Sequence, residues 1–565
     1  MIAAGWELSR PAQRPNRVAK NNGWNPTMND TVPQPSQSPE AERPPRFART
    51  RRWLPLAIIA LEAIALLLVQ YLENAETLSP GNAFLAKFST IGLGTILIFL
   101  WFVFLAPAAP TLRRRVGIIG LLVVVFCLAT VRVEGVSGDI HFRLKWAWSP
   151  SIDETLPAAA SEAAPNAEVN LTETTPEDSP QFLGSNRNAV LPDAHLARDW
   201  SQEKPKLLWR QPIGAGWSSF AIVGHYGVTQ EQRGEEELVT CYDLDDGKLQ
   251  WAHATPVRFH EVIAGVGPRA TPTIHEGKVY ALGALGHLMC LDGATGKLLW
   301  QHDIVTENGA SPPQWGKSCS PLIYENLVIA SAGGPGGKSL VAYDKSDGRL
   351  VWSAGDDASS YASPTLMTLC GQPQIVMINE KLTSGHDPSD GHMLWEHIWP
   401  EDGIASPNVA QPIALGNDQI LLTKGYGVGS TLWQIKRDGE KWSVEPLWKN
   451  NNLKTKMTNA VVRDGYAYGL DEGTLCCIEV STGKKKWKRS RFGHGQVLLV
   501  GDLLLVQSED GQIALAEASP DKYVELARIP VVEGQSWNYP ALSGRKLVVR
   551  TQQEVACYEL PAASP

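Results

Sequence analysis

The chain has 565 residues, of which 43 % are hydrophobic, and a formal net charge of −8 at pH 7. This length exceeds one ordinary domain. The acidic balance argues against a protein that binds nucleic acid through a basic surface. The sequence also lacks the Cys-x-x-Cys-His pattern that attaches a c-type haem.

Residues 1–52 come first and are rich in Pro, Asn and Ser. They carry nine Lys or Arg against four acidic residues and show no hydrophobic periodicity. This composition is typical of a disordered segment. We therefore predict a disordered, basic tail, within which Met28 is an alternative start to Met1.

Three apolar runs follow, at 53–72, 88–106 and 116–131. The first two approach the ~20 residues with which a helix crosses a bilayer. The third has only 16 residues, but the Arg side chains that flank it can extend to the interface from both ends. We predict three transmembrane helices within residues 53–132, and buried helices of a soluble protein are the alternative. Glu62 is expected to face other helices or a polar cavity.

The short loops predict the orientation of these helices. Five Arg between Arg43 and Arg52 precede the first run, and Arg113–Arg115 precede the third. By the positive-inside rule the N-terminus is cytoplasmic, and three spans place everything after Arg132 outside. We thus expect an integral protein of the cell (inner) membrane with a periplasmic or extracytoplasmic C-terminal part. Residues 133–200, which are acidic and rich in Pro and Ala, predict an extended linker.

Residues 201–561 repeat one phrase, in which an acidic residue is followed four residues later by Gly and eight residues later by Trp. A period of about 40–50 residues indicates a propeller or a solenoid. The five copies are Asp243, Gly247 and Trp251; Asp292, Gly296 and Trp300; Asp344, Gly348 and Trp352; Asp387, Gly391 and Trp395; and Glu479, Gly483 and Trp487.

Each residue type in the phrase has a structural reason. A hydrophobic strand precedes the acid, whose side chain can accept hydrogen bonds from the following turn. Gly supplies a positive φ that closes the hairpin, and Trp fills the gap between neighbouring sheets. The residue ten positions before each Trp is always small, and three of these residues are cysteines. We interpret Cys241, Cys290 and Cys477 as buried core residues, with metal or redox chemistry as the alternative.

The repeats also predict the number of blades. Two further Trp, Trp209 and Trp448, continue the spacing, and weaker units occupy 496–528 and 539–560. The last unit provides three strands, so that the orphan strand Pro205–Gln211 would complete it and close the ring. We predict an all-β fold, an eight-bladed β-propeller with seven blades as the alternative, preceded by transmembrane α-helices.

The phrase Asp292, Thr295, Gly296 and Trp300 resembles the pyrroloquinoline-quinone (PQQ) repeat. This repeat builds the eight-bladed propellers of quinoprotein alcohol dehydrogenases and the propeller of the lipoprotein B subunit of the outer-membrane barrel-assembly machinery. The layout of the whole chain is similar to that of membrane-anchored PQQ-like repeat proteins of planctomycete-type bacteria. The resemblance covers about residues 200–560 and implies the fold, but the same fold serves enzymes and scaffolds.

Several repeat units begin with similar residues, and the first strand of each unit is predicted to start near the propeller axis. If these openings ring one mouth of the central channel, their side chains could bind an anionic ligand; hydrogen bonds to neighbouring blades and to water are the alternative. The candidate residues are Arg269, Lys317, Ser320, Tyr361, Ser363 and Lys456. Gln230, Glu231 and Gln232 form a further polar cluster without an assigned role.

From these features we hypothesise a membrane-anchored, extracytoplasmic propeller that acts as a non-catalytic binding or assembly platform for a protein partner in the envelope. It would have no catalytic residue, metal or nucleic-acid partner. The alternative is a membrane-bound, PQQ-dependent dehydrogenase of alcohols or sugars. Such an enzyme needs an aromatic platform for PQQ and oxygen ligands for Ca²⁺ on one rim. We assign no such set, and the only adjacent cysteines, Cys476 and Cys477, lie in a repeat strand.

Overall fold

Three helices begin the described part of the chain. The computed structural model describes residues 46–75, 77–162, 169–400 and 407–563. The predictions made for residues 1–45 therefore lie outside the described residues. The helices are α1 (Arg46–Asn74), α2 (Pro80–Phe104) and α3 (Pro110–Thr130). Residues 46–52, assigned above to the disordered tail, instead extend the first helix, which is consistent with the good helix propensity of Arg and Ala.

Two helical segments of the described chain, Arg52–Asn74 and Pro80–Phe104, are long and apolar enough to cross a membrane. The third predicted span is not among them, because three arginines occupy the start of α3 and shorten its apolar part. Glu62 lies as expected against a neighbouring helix, since a Cβ added at Gly94 of α2 would overlap its carboxylate.

A β-hairpin follows α3 directly. It consists of β1 (Val131–Val136) and β2 (Phe142–Trp146), which pair antiparallel. Two short helices come next, α4 (Ile152–Thr155) and α5 (Ala159–Glu162), and then β3 (Val190–Leu191) and β4 (Lys206–Pro212). Residues 55–565 form one compact unit that includes the hairpin and the sheets.

Eight sheets of the described chain form the blades of a β-propeller, so the predicted fold and blade number are confirmed. Blades 1 to 4 each consist of four strands that are consecutive in the sequence. Blade 1 consists of β5 (Ala221–Val223), β6 (Tyr226–Arg233), β7 (Glu236–Asp243) and β8 (Leu249–Thr255). A small pair, β9 (His260–Glu261) and β10 (Gly265–Val266), precedes blade 2, which consists of β11 (Thr273–His275), β12 (Lys278–Leu282), β13 (His287–Asp292) and β14 (Leu298–Asp303). Blade 3 consists of β15 (Leu322–Tyr324), β16 (Leu327–Gly334), β17 (Lys338–Asp344) and β18 (Leu350–Ala354). Blade 4 consists of β19 (Thr365–Leu369), β20 (Gln372–Ile378), β21 (Leu382–His386) and β22 (Met393–Ile398).

The remaining four blades complete the ring. Blade 5 consists of β23 (Ile413–Leu415), β24 (Gln419–Lys424), β25 (Gly429–Asp438) and β26 (Lys441–Asn450). Blade 6 consists of β27 (Val461–Arg463), β28 (Tyr466–Asp471), β29 (Thr474–Glu479) and β30 (Lys485–Arg491). Blade 7 consists of β31 (Gln496–Val500), β32 (Leu503–Gln507), β33 (Gln512–Glu517) and β34 (Glu525–Pro530), and β3 pairs parallel with its first strand. Blade 8 consists of β35 (Ala541–Ser543), β36 (Lys546–Arg550), β37 (Glu554–Glu559) and β4.

The ring closes through β4, as the orphan strand predicted. β4 pairs antiparallel with β37, and Trp209 lies opposite Cys557. This pairing places Trp209 as the repeat Trp of blade 8, in register with Trp251, which lies opposite Cys241 in blade 1. All eight cysteines are free thiols, and the three repeat cysteines Cys241, Cys290 and Cys477 are buried.

The repeat phrase joins neighbouring blades at five junctions of the ring. The Trp of one blade packs on the phrase Gly of the following blade, where an added Cβ would come within 3 Å of the indole at each junction. Each of these glycines also has a positive φ, between 66° and 78°. The five junctions are Trp209 with Gly247, Trp251 with Gly296, Trp300 with Gly348, Trp352 with Gly391, and Trp448 with Gly483.

Hydrogen bonds reinforce these junctions. The indole Nε1 donates to the carbonyl that follows the phrase acid, as in Trp209 to Leu244 O at 2.8 Å and Trp251 to Gly293 O at 3.0 Å. Blade 5 lacks the phrase, and the indole of Trp395 instead donates to Gln374 Oε1 within its own blade. The phrase residues therefore build the ring rather than a site.

The predicted extended linker 133–200 is wrong in two places. Residues 131–146 form the hairpin, and the segment 169–200 packs across the face at which the first strand of each blade ends, which we call the lower face. Gly224 N, just after the first strand of blade 1, donates to Asp178 Oδ1 at 2.9 Å, and Gly277 N, just after that of blade 2, donates to Leu171 O at 3.1 Å. From this face Phe182 reaches inward to meet Tyr539 edge-on at 5.5 Å between ring centroids. This segment buries enough apolar area to order itself. Its buried apolar side chains are Val169, Leu171, Leu183, Ala189, Leu196 and Trp200.

Candidate functional site

A belt of hydrogen bonds surrounds the propeller axis at the opposite, upper face. Just before its first strand, each of several blades donates a backbone N–H to a side chain of the next blade. The bonds run from Ser219 N to Thr271 Oγ1 (3.2 Å), Thr271 N to Ser320 Oγ (3.0 Å), Ser320 N to Ser363 Oγ (2.9 Å), Ser363 N to Gln411 Oε1 (2.8 Å), Gln411 N to Asn459 Oδ1 (2.5 Å) and Asn459 N to Tyr539 OH (2.8 Å).

The belt closes where blade 8 meets blade 1, because Ser219 Oγ donates to Tyr539 O at 2.7 Å. Blade 7 joins through Gln496, whose Nε2 donates to carbonyls on both sides, Met457 O at 2.9 Å and Trp537 O at 2.7 Å. Ser320 and Ser363, named above as ligand candidates, are buried members of this belt. Their hydroxyls and backbone amides bind neighbouring blades.

An axial cavity of about 150 Å³ lies inside the belt. Seven of the sixteen residues that line it lie two positions before a belt residue, since alternate residues of an extended chain share one side. Phe182 of the segment 169–200 also lines the cavity. The residues two positions before the belt are Trp217, Arg269, Ser318, Tyr361, Val409, Met457 and Trp537.

The two candidate lysines do not line this cavity. Lys317 and Lys456 lie three positions before their belt residues Ser320 and Asn459, and this difference of one residue turns their side chains to the other side. Lys317 is buried, and its Nζ donates to Ala332 O at 2.6 Å and to Ser331 O at 3.1 Å. Burial lowers its pKa to about 8. The predicted cationic ring is therefore wrong.

Arg269 and Tyr361 do line the cavity. The Arg269 guanidinium stacks on the Phe259 ring at 4.3 Å and donates to three backbone carbonyls, among them Ala264 O at 3.0 Å. The Tyr361 hydroxyl accepts a hydrogen bond from Trp315 N at 3.1 Å. Both polar groups are thus engaged by the protein. Among the described residues, the lining atoms that lack a partner include Trp315 Nε1 and Gln496 Oε1.

The polar cluster at Gln230, Glu231 and Gln232 lies at the seam between blades 8, 1 and 2. Glu231 is fully buried and pairs with Arg233 at 2.9 Å. Gln230 Nε2 donates to Ala270 O of the segment leading into blade 2 at 2.6 Å. The fully buried Arg550 of blade 8 donates to Gln230 O at 3.1 Å. Buried hydrogen-bond networks stiffen a core, so we assign this cluster a structural role, although Gln230 Oε1 has no partner. Its signal in the sequence was the run of polar residues within a strand.

Glu237 provides a pH-dependent contribution to stability. It is buried beside blade 2, and its Oε2 accepts a hydrogen bond from Ala284 N at 3.0 Å. Burial raises its pKa from the ordinary 4.5 to about 7. Because the folded chain holds this proton to higher pH than the unfolded chain does, stability is greatest below pH 4.5 and falls as pH rises through about 7.

We expect this group to remove roughly 3 kcal/mol of unfolding free energy between acidic and mildly alkaline pH. Glu237→Gln should abolish that part of the pH dependence and should be more stable than the wild type above neutral pH. The exposed neighbour substitution Glu236→Gln is the control. Thermal midpoints at acidic and alkaline pH measure the effect. An unchanged pH dependence in Glu237→Gln would contradict the assignment.

The lining of the axial cavity does not fit PQQ with a calcium ion. The aromatic walls are suitable, but the lining residues of the described chain supply amides and hydroxyls and no carboxylate, whereas Ca²⁺ sites use carboxylate oxygens. The single lining cation, Arg269, is already bound to backbone carbonyls. The cavity of about 150 Å³ is also smaller than the ~300 Å³ at which ligand pockets begin.

Comparisons with known proteins find a family model that is similar to the middle part of the propeller. Residues 235–489 match the family model described as "Outer membrane protein assembly factor BamB". BamB of Moranella endobia is 23 % identical over 259 residues, which are 43 % of this chain and 63 % of that protein. The quinoprotein alcohol dehydrogenase PedH of Pseudomonas putida is 29 % identical over 145 residues, which are 23 % of this chain. The chain spans only 22 % of the length of that dehydrogenase.

Among solved structures, one that this chain is similar to is the quinohemoprotein alcohol dehydrogenase of Comamonas testosteroni. The match has a TM-score of 0.49 and 14 % identity, and it covers 72 % of this chain and 85 % of that one. The repeat phrase and the eight four-stranded blades show a PQQ-like repeat β-propeller, and its segment 235–489 is similar to the BamB family.

Proposed function

We propose that this protein is a non-catalytic binding or assembly platform that is anchored in the cell membrane and displays its propeller outside the cytoplasm. The observation that carries the proposal lies on the outer rim. The outermost strands β14, β18 and β22 end the sheets of three successive blades. All three carry exposed apolar side chains next to the repeat Trp, and these are Leu298, Leu299, Leu350, Val351 and Met393.

Such a rim suits an extended segment of a protein partner. The last strand of a sheet offers unpaired backbone groups to an added strand, and exposed apolar side chains beside it add affinity. The outermost strand of blade 6 carries Lys485 and Lys486 at the corresponding positions, and lysine on an edge opposes strand addition. Leu447 of blade 5 (44 % exposed) continues this apolar rim and Leu207 of blade 8 (45 %) adds a separate position, whereas blade 6 carries lysines. We assign blades 2 to 4, each of which exposes such a side chain, to the partner. The family description as an assembly factor supports a protein partner.

Site-specific crosslinking tests this assignment. A photoreactive amino acid replaces Val351 in one strain and Lys486 in another; both positions directly precede a repeat Trp and both are exposed. We expect crosslinks to an envelope protein from position 351 in intact cells and none from position 486. Equal crosslinking from both positions, or none from position 351, would contradict the platform surface.

The membrane arrangement gives a separate expected result. Two helices are long and apolar enough to span. The third, α3, exposes apolar side chains such as Leu121 (63 %) and Leu128 (72 %), which require an apolar environment. With three spans, a reporter that is active only outside the cytoplasm should be active when fused after Ser149 and silent when fused after Pro110. The reverse pattern would contradict the orientation, and silence at both positions would contradict the third span.

The alternative function is a membrane-bound, PQQ-dependent alcohol or sugar dehydrogenase. The aromatic walls of the axial cavity and the quinoprotein relatives favour it. Two features favour the platform. The described residues that line the cavity provide no carboxylate for Ca²⁺, and Arg269 donates its hydrogen bonds to backbone carbonyls. The two functions make opposite predictions for binding of the cofactor.

A further inference from the structure

The hairpin β1–β2 has two chemically different faces. Residues paired across an antiparallel hairpin share a face, and alternate residues of a strand do so as well. Val133 lies opposite Leu144, and Val131 lies opposite Trp146, so one face is apolar. Arg132 lies opposite Lys145 on the other face, which is charged.

The exposure along β2 is the inverse of that expected in water. Along β2, the apolar side chains are exposed, with Phe142 at 42 %, Leu144 at 63 % and Trp146 at 48 %, whereas the two cations between them are half-buried. Trp148 is 65 % exposed and stacks on Trp146, with ring centroids 5.2 Å apart. A soluble hairpin turns its apolar face inward. This one presents it outward, as strands do towards lipid.

The apolar face is continuous with the membrane helices. α3 ends at Thr130 and β1 begins at the next residue, and Ala147 N donates to Thr130 O at 2.7 Å. On the neighbouring helix α2, Phe88 lies 6.0 Å from Phe142 between ring centroids. Aromatic side chains, above all Trp, are enriched where a membrane protein crosses the membrane–water interface.

The tip of the hairpin is fixed to the upper face of the propeller. Gly138 N donates to Glu509 Oε1 at 2.7 Å, and the same carboxylate oxygen accepts a hydrogen bond from Trp537 Nε1 at 2.9 Å. Asp139 forms an ion pair with His494 at 3.2 Å. Because Trp537 lines the axial cavity, the hairpin docks beside the mouth of that cavity.

We propose that the hairpin 131–148 lies in the membrane–water interface with its apolar face in lipid, and that its tip holds the upper face of the propeller towards the bilayer. The partner of this surface is the lipid bilayer itself. In consequence the axial cavity opens towards the membrane, and the lower face points away from it. This inference rests on the membrane anchoring of the proposed function.

Spin-label accessibility in phosphatidylcholine vesicles tests the proposal with the full chain. The labels replace Leu144→Cys, Trp148→Cys and, as the control, Leu350→Cys on the propeller rim, in a Cys127→Ala, Cys370→Ala background. We expect the ratio of accessibility to oxygen over a water-soluble nickel complex to be several-fold higher at positions 144 and 148 than at position 350. The second hairpin position keeps the test decisive if one labelled variant fails to fold.

Three outcomes would overturn the proposal, and they differ from one another. Equal ratios at the hairpin and the rim would place the hairpin in water. A hairpin label shielded from both reagents would mean that protein covers it instead of lipid. In both cases the chain still floats with the vesicles, and its membrane anchoring stands. A chain that does not float with vesicles at all would contradict the anchoring and the hairpin proposal together.

Discussion

Trp209→Ala is expected to lower the free energy of unfolding by up to about 3 kcal/mol, the lower end of the range for removing a buried aromatic side chain, because Trp209 is partly buried. Trp209 belongs to blade 8 although it precedes every other strand of that blade in the chain. Its indole packs on Gly247 of blade 1 and donates to Leu244 O at 2.8 Å. The substitution therefore opens the one junction that joins the ends of the propeller, and chemical denaturation of the full chain measures the loss.

Leu207→Ala is the matched control, because Leu207 lies on the same strand but is 45 % exposed. A surface substitution of this kind is expected to change stability by about 0.5 kcal/mol or less. Deletion of the whole strand Lys206–Pro212 should be more damaging than Trp209→Ala, since it leaves β37 as an open edge. Similar losses from Trp209→Ala and Leu207→Ala would place the closure of the ring elsewhere.

Arg233→Met is expected to cost about 3–5 kcal/mol, because it leaves the buried Glu231 carboxylate without its ion-pair partner. Glu231 is fully buried, and Arg233 Nε lies 2.9 Å from its Oε1. Tyr242 OH also donates to this carboxylate at 3.0 Å. In the variant, the Tyr242 hydrogen bond still holds the Glu231 carboxylate but does not neutralise its charge. The seam between blades 8 and 1 therefore loses stability.

Arg198→Met is the comparison that isolates burial. Arg198 also forms two ion pairs, with Asp502 at 2.5 Å and Glu517 at 2.6 Å, but its side chain is 47 % exposed. Exposed pairs contribute only about 0–1 kcal/mol, because water already stabilises both charges. Thermal midpoints of the two variants in the same buffer give the contrast. A loss in Arg198→Met as large as that in Arg233→Met would contradict the structural role assigned to the buried network.

The architecture was predictable from the sequence because its signals are local and repeated. The acid of the phrase accepts a turn amide, as Asp243 Oδ1 does from Asp245 N at 2.8 Å. The phrase Gly leaves room for an indole, and the indole reaches the next blade. Every blade junction that contains the phrase has this geometry. The spacing of the repeat Trp residues was therefore enough to predict eight blades and closure of the ring by the orphan strand.

The axial site was harder to predict because it depends on register. Arg269 and Lys317 occur in similar sequences just before the first strands of their blades. However, Arg269 lies two residues before its belt residue, whereas Lys317 lies three residues before its own. A shift of one residue moves a side chain to the opposite side, which removes the predicted cationic ring. A usable signal was present, since the belt residues Thr271, Ser320, Ser363 and Gln411 each precede a proline. The order of the segment 169–200 depends on contacts with distant blades, which local composition does not reveal.

The central claim is that the propeller axis is built for structure and binding, without a quinone cofactor. Titration of PQQ with Ca²⁺ into the detergent-solubilised full chain, followed by calorimetry, tests it most directly, and a dye-linked assay with alcohol and sugar substrates accompanies it. A quinoprotein alcohol dehydrogenase stripped of its cofactor serves as the positive control. We predict no saturable binding and no substrate-dependent dye reduction. Saturable binding together with oxidation of an alcohol or a sugar would contradict the account and establish the dehydrogenase.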